Sequence, residues 1–299
     1  MTDDIYARVT ANIVAALERG TPPWVRPWSA AADPVPVNAT TRRPYRGANW
    51  VQLQLHAAVR GYSRNVWLTY RQASELGAQV RMGEHGVPVV FWKLRKVDAT
   101  AETQPWPDEQ EVHEKVVPLL RTYTVFNVQQ IDGLPPHLLP APAPVEWEPE
   151  AAAEEILLRA DPDLRHGGNR ACYRPEADVI QLPDRGAFPD SASFYATALH
   201  ELVHWTGHPK RLHRDLSGRF GDESYAMEEL VAELGAAFLC ASCRIDGRLQ
   251  HDSYLASWLK VLRNDKRAIF VASTKAQNAA DLLLPHVDPL TADPVKEAA

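Results

Sequence analysis

The stretch Thr197-Ala198-Leu199-His200-Glu201-Leu202-Val203-His204-Trp205-Thr206-Gly207-His208 decides how the rest of the chain is read. It reads as a helix that starts near Ser191 and stops at Gly207. Side chains four residues apart on a helix stand one above the other. His200 and His204 can therefore address one divalent cation, with Glu201 beside them as general base toward a water. H-E-x-x-H also arises by chance in helices, so a third ligand must come from elsewhere.

The source is the helix expected from about Glu223 to Cys243. Its large apolar residues Met227, Leu230, Val231, Leu234 and Phe238 form one stripe. Glu229 and Glu233 lie one turn apart on the other side, among the small residues Ala226, Ala232 and Ala236, which let two helices approach closely. We expect Glu229 as the third ligand and Glu233 as the acceptor of a ligand histidine N–H. Glu228 points about a quarter-turn away and is the weaker choice. A third histidine is disfavoured, because Lys210 fills the last position of H-E-x-x-H-x-x-G-x-x-H. His208 and Tyr225 are candidates for stabilising an oxyanion. Zinc is the first expectation for the cation, with manganese as the alternative. A polarised carbonyl and Glu201 as base describe peptide hydrolysis. A cation with a purely structural part is the competing reading. A nuclease fits less well, since phosphodiester hydrolysis usually recruits carboxylate-rich magnesium sites.

Working outward, 299 residues suggest two domains, and 45% hydrophobic with 23% charged residues is ordinary for a soluble globular chain. No apolar run approaches a membrane span, Met1-Thr-Asp-Asp has no basic leader, and three cysteines make no disulfide framework. Cys240 and Cys243 suit two buried thiols. These features indicate a cytoplasmic protein. The net charge of −6 hides an asymmetry: residues 1–96 hold thirteen Lys/Arg against six Asp/Glu, and the remainder holds nineteen against thirty-two. Only the first part is suited to a polyanion.

The periodicity predicts helices over Ile5–Glu18, Trp50–Arg60, Arg71–Leu76, Ala151–Arg159, Tyr254–Leu262 and Lys266–Leu284, besides the two site helices. Val66–Thr69, Val87–Lys93 and Arg121–Val128 read as strands, with Asp98–Glu114 an exposed excursion between the last two. Ala171–Pro183 reads as two short strands around a turn. Six prolines between Leu134 and Pro149 mark a semi-rigid spacer. The expected fold class is α+β in two domains: 1–131, a linker at 132–153, a mainly helical unit at 154–290, and a tail at 291–299.

The basic first third also carries five Trp (24, 28, 50, 67 and 92), four Tyr (6, 45, 62 and 70) and Phe91. Aromatic platforms beside arginines are how single-stranded nucleic acid is held, with weak sequence preference. Trp50, Trp67 and Trp92 sit inside expected elements and read as core. Trp24, Trp28, Arg42, Arg43, Tyr45, Arg46, Asn49 and Arg81 are the candidate contacts.

Taken together, Pro23-Trp24-x-x-Pro27-Trp28, Pro44-Tyr45-Arg46-Gly47-x-Asn49, Trp67-Leu-Thr-Tyr-Arg-Gln72, Gly77-x-x-Val80-Arg81-x-Gly83-Glu84, Tyr123-Thr-Val-Phe-Asn-Val-Gln-Gln130, the site helix and Tyr225-Ala-x-Glu-Glu-Leu-Val-Ala-Glu233 resemble the ArdC family of plasmid-borne antirestriction proteins. The first part is also similar to the N-terminal region of TraC-type plasmid primases. The resemblance implies a single-strand DNA-binding N-terminal domain and a zincin-like metallopeptidase C-terminal domain. It also implies protection of incoming conjugative DNA from host restriction, with a host restriction component as one conceivable protein substrate.

Overall fold

The computed structural model describes residues 4–19, 35–62, 64–98, 114–138, 149–218, 222–245 and 254–284. Helix α1 (Ile5–Glu18) begins where the Asp4 carboxylate accepts the N–H groups of Tyr6 and Ala7. Its stripe Ile5, Val9, Ile13 and Leu17 is buried, as the four-residue spacing predicts. Helix α2 (Ala48–Arg60) ends on the left-handed Gly61. Thr69 caps α3 (Tyr70–Glu75) in a reciprocal capping box with Gln72.

Strands β1 (Val37–Asn38), β2 (Val66–Thr69), β4 (Val87–Asp98) and β5 (Glu114–Asn127) form one sheet in the order β1-β2-β5-β4. β4 and β5 pair antiparallel from Val87↔Val125 to Asp98↔Glu114. The ribbon therefore runs beyond the expected Val87–Lys93 and Arg121–Val128, and residues 99–113 lie outside the described residues. Short β3 (Gln79–Val80) and β6 (Ile131–Asp132) make a separate pair. In the C-terminal half, β7 (Asp163–His166), β8 (Cys172–Arg174) and β9 (Val179–Leu182) order as β7-β9-β8, leaving β8 at an edge. β8 and β9 are the expected short strands. β7, with Leu164 as its one apolar residue, was not expected.

Helices α4 (Pro149–Ala160), α5 (Ser191–Thr206), α6 (Glu223–Cys243), α7 (Leu255–Asn264) and α8 (Ala268–Leu283) complete the fold. The main core joins both halves. Ile13 and Leu17 of α1 and Trp50 and Val51 of α2 share it with Leu199 and Leu202 of α5, Leu230 and Leu234 of α6, Trp258 of α7 and Ile269 of α8. The Trp50 ring meets Phe238 edge-on at 4.8 Å across the halves. The expected linker thus separates two regions of sequence whose apolar faces are pressed together. Among the described residues no helix is long and apolar enough to cross a membrane.

Candidate metal centre

Helix α5 is launched by Asp190, whose carboxylate accepts the Ser193 N–H at 2.7 Å. It buries Leu199, Leu202 and Val203 on one side, and each such burial contributes roughly 1.5–3 kcal/mol. That anchoring holds His200 and His204 toward α6, where Gly235 lets the helices close in: a Cβ there would stand 2.8 Å from the Val203 Cγ2. His200 and Glu201 are 5% and 7% exposed, and Glu229 is 7% exposed.

The two imidazole Nε2 atoms stand 3.2 Å apart. Glu229 places Oε2 at 3.6 Å from the His200 Nε2 and Oε1 at 3.7 Å from the His204 Nε2. Ligands sharing one tetrahedral cation at about 2.0–2.2 Å lie roughly 3.3–3.6 Å from each other. One ligand atom from each of the three residues falls within a 4.8 Å cluster, so two neutral imidazoles and a carboxylate fit a zinc- or manganese-type ion.

Behind the imidazoles stand two more carboxylates. The His204 Nδ1–H donates to Glu228 Oε1 at 3.1 Å, and Glu228 in turn accepts from Arg214 at 2.8 and 3.0 Å. Arg214, 8% exposed, also donates to the Thr206 hydroxyl and the Val203 carbonyl, clamping the loop after α5. Glu233 Oε2 faces the His200 Nδ1 at 3.7 Å, longer than a hydrogen bond. Glu228, turned toward the site helix by Arg214, is thus the acceptor at His204, and Glu233 is the carboxylate that faces His200. Sequence reasoning missed Arg214, because the irregular loop that carries it shows no periodicity.

Electrostatics match this arrangement. Burial alone would lower the His204 pKa, but the Glu228 hydrogen bond and the charges of Glu228, Glu229 and Glu201 raise it to about 9. Loading a cation thus expels a proton from His204. Burial would raise the Glu229 carboxyl, yet the adjoining imidazoles hold it down at about 2. Glu228 is likewise depressed against its burial, by His204 and Arg214.

The three residues line an open cleft of about 460 Å³, and edge strand β8 runs along it. The Tyr173 N–H donates to Glu201 Oε2 at 2.8 Å, fixing that carboxylate at the cleft wall. Tyr225 also lines the cleft, its hydroxyl 3.2 Å from that of Tyr254, which sequence reasoning did not single out. Burial, then the hydrogen bond with Tyr254, raise the Tyr225 pKa, so it stays a protonated donor. His208 is turned away: its Nδ1 accepts the Lys210 N–H at 3.2 Å, and it does not line the cleft, which corrects its assignment to an oxyanion.

The nucleic-acid candidates divide. Trp24, Trp28 and the Trp92 side chain lie outside what the structure describes. Arg42 and Arg46 are exposed; Arg42 donates to the His137 carbonyl at 3.2 Å, and Arg46 pairs with Asp281. Arg43 is half-buried. Arg81 reaches Glu84 at 2.9 Å, Asp132 at 3.3 Å and the Gln129 carbonyl at 2.6 Å, so much of its donor capacity is spent internally. Two expectations are corrected. Tyr45 is 6% exposed and packed with Leu53 and Trp67, which denies a base its ring face. Asn49 donates to the Val90 carbonyl at 2.7 Å and accepts the Val90 N–H at 2.9 Å, and Gln52 donates to the Pro88 carbonyl. These amides satisfy the outer edge of β4, a strand that would otherwise offer open pairing groups.

Residues 151–275 match the family described as zincin-like metallopeptidase, and residues 3–126 match the N-terminal domain of the anti-restriction factor ArdC. Over 282 residues the chain is 44% identical to an uncharacterized protein, y4eC, of Sinorhizobium fredii, covering 93% of this chain and 91% of that one. It is 40% identical over 291 residues to the DNA primase TraC of Escherichia coli, but spans only 27% of that protein. The crystal structure of the antirestriction protein ArdC from plasmid R388 superposes with a TM-score of 0.77 in its metal-free form, at 42% identity over 94% of this chain and 97% of that one. The Mn(II)-bound form of the same protein gives 0.74 at 41% identity, over the same shares. On the N-terminal match, the zincin-like match and this full-length likeness together, the chain belongs to the ArdC family of antirestriction proteins.

Proposed function

We propose that this chain is a cytoplasmic antirestriction protein that shields incoming conjugative DNA. In this reading its N-terminal half binds single-stranded DNA, and one divalent cation sits on His200, His204 and Glu229. The observation that carries the metal reading is the convergence of two Nε2 atoms and a carboxylate at 3.2–3.7 Å on the wall of an open cleft. Structural zinc sites are closed by protein ligands, whereas this one opens onto space for a substrate. Zinc is the first expectation and manganese the alternative.

When bound, the cation would supply Lewis acidity toward a carbonyl or a water. Glu201, held by the Tyr173 N–H, would take a proton from the attacking water and return it to the leaving amine. Glu228 keeps the His204 Nδ1 protonated, so that Nε2 offers its lone pair to the cleft. Tyr225 and Tyr254 present hydroxyls on the same cleft, suited to donate toward a developing oxyanion. An extended peptide laid along edge strand β8 is the substrate shape this wall accepts, and a host restriction component is the partner proposed.

Glu201→Ala separates peptidase from a DNA-protecting protein with a structural cation, because it leaves all three ligands in place. The peptidase reading expects full metal content with loss of antirestriction in a conjugation assay into a restricting host. Full antirestriction with metal retained would remove catalysis from the account and leave the binder.

A further inference from the structure

We propose that an exposed patch on one face of the β4–β5 ribbon is a base-stacking platform for single-stranded DNA, built from Phe91 and Tyr123 with Arg121 beside them. The inference rests on the reading that the N-terminal half binds single-stranded DNA, and it names where the bases sit. The ribbon register sets Val89 opposite Tyr123 and Phe91 opposite Arg121. Directly opposed residues of an antiparallel pair share one face, so Val87, Val89 and Phe91 stand with Val125, Tyr123 and Arg121. Leu53 and Ala57 of α2 cover the first part of that face, and Val87, Val89 and Val125 are buried there. Past the helix, the cover ends. Phe91 is 40% and Tyr123 42% exposed, and Arg121 is exposed with them.

The two rings are packed against each other at 5.7 Å between centroids and 69°, and the buried Tyr45 ring backs Phe91 at 6.4 Å. Both side chains are thus held in place with ring surface left to solvent. An aromatic pair of this kind could serve the ribbon alone. The guanidinium on the same face adds what bare packing does not require, a charge for phosphate beside the rings. The first 96 residues, which include Phe91, hold thirteen basic against six acidic residues, a sign that suits a polyanion beside Arg121. Base faces are free in a single strand and already stacked in a duplex, so this surface selects single strands and tolerates any base. Tyr123 lies beyond the basic first third, and the buried Tyr45 is the ring behind Phe91.

The test measures fluorescence anisotropy of a labelled oligothymidylate with the full-length protein, comparing wild type with Phe91→Leu, Tyr123→Leu and Arg121→Ala. Leucine keeps the apolar volume on the ribbon, and circular dichroism melting confirms that each variant folds. Each leucine variant should weaken binding about tenfold, the loss of one stacked base. Arg121→Ala should lower the slope of log affinity on log salt by about one. An oligothymidylate with abasic positions should weaken wild type and leave the leucine variants less affected. Leucine variants that bind as tightly as wild type would overturn the platform while leaving single-strand binding intact. No binding by wild type would bring down both.

Discussion

The His204 Nδ1 and the Arg214 guanidinium share one carboxylate, that of Glu228, and through it a loop residue governs a ligand on α5. Glu228→Gln keeps the side-chain shape and removes the charge that holds Arg214 and the imidazole N–H together. Its cation affinity should fall about 10- to 100-fold in a competition titration with a chelating dye, as for other outer partners of ligand histidines. Unchanged affinity would mean that Glu228 does not support the His204 ligand. Helix arithmetic could not foresee the link because it places residues around one axis, whereas Arg214 arrives from outside it. Asn49 was misread for a related reason: a polar residue among arginines and aromatics resembles a contact, and only the fold reveals the edge of β4 behind it. His56 on α2 stands edge-on to Trp67 at 6.0 Å, and its Nε2 is buried with no hydrogen-bond partner among the described residues. Burial, helped by the Arg60 charge, lowers its pKa from 6.5 to about 4. The unfolded chain then takes the proton first, so His56 costs nothing above about pH 6.5 and removes stability as pH falls toward about 4. Urea unfolding across that window should show a flatter pH profile in His56→Leu than in wild type. Parallel profiles would mean that His56 is not the group responsible.

At the scale of elements, the site depends on how closely α5 and α6 approach. Both helices were legible in the sequence, since the histidine spacing, Gly207 and the apolar stripe of α6 mark them plainly. Beside the expected small residues Ala226, Ala232 and Ala236 stands Gly235, whose added Cβ would meet the Val203 Cγ2 and Cγ1 at 2.8 and 2.9 Å. Valine is stiff at χ1 and cannot swing clear. Gly235→Ala gains about 1 kcal/mol of helix propensity and loses roughly 1–3 kcal/mol to overpacking, for a net loss of about 1 kcal/mol by urea unfolding. Val203→Ala in the same chain should make the pair less destabilised than the sum of the single changes. Strict additivity would show that the helices are not in contact there. The strands were harder to read: β7 has a single apolar residue and is placed by pairing parallel with β9 and by Leu164 against the core.

Across the whole molecule, one apolar core runs from α1 and α2 into the helices that carry the metal ligands. Composition and the proline-rich segment divided the chain in two, and no local pattern says that Trp50 will meet Phe238. Such contacts join residues far apart in sequence, which is why they were illegible. An interface built this way favours unfolding as one unit. Tryptophan fluorescence and far-ultraviolet circular dichroism should therefore report coincident urea transitions, and separate midpoints would mean that the halves unfold independently. The central claim is that His200, His204 and Glu229 hold one cation at the junction of α5 and α6. Elemental analysis after exhaustive dialysis tests it most directly, on wild type and on His204→Ala of confirmed fold. The account predicts one zinc or manganese per wild-type chain and none in the variant; a full equivalent retained by His204→Ala would contradict it.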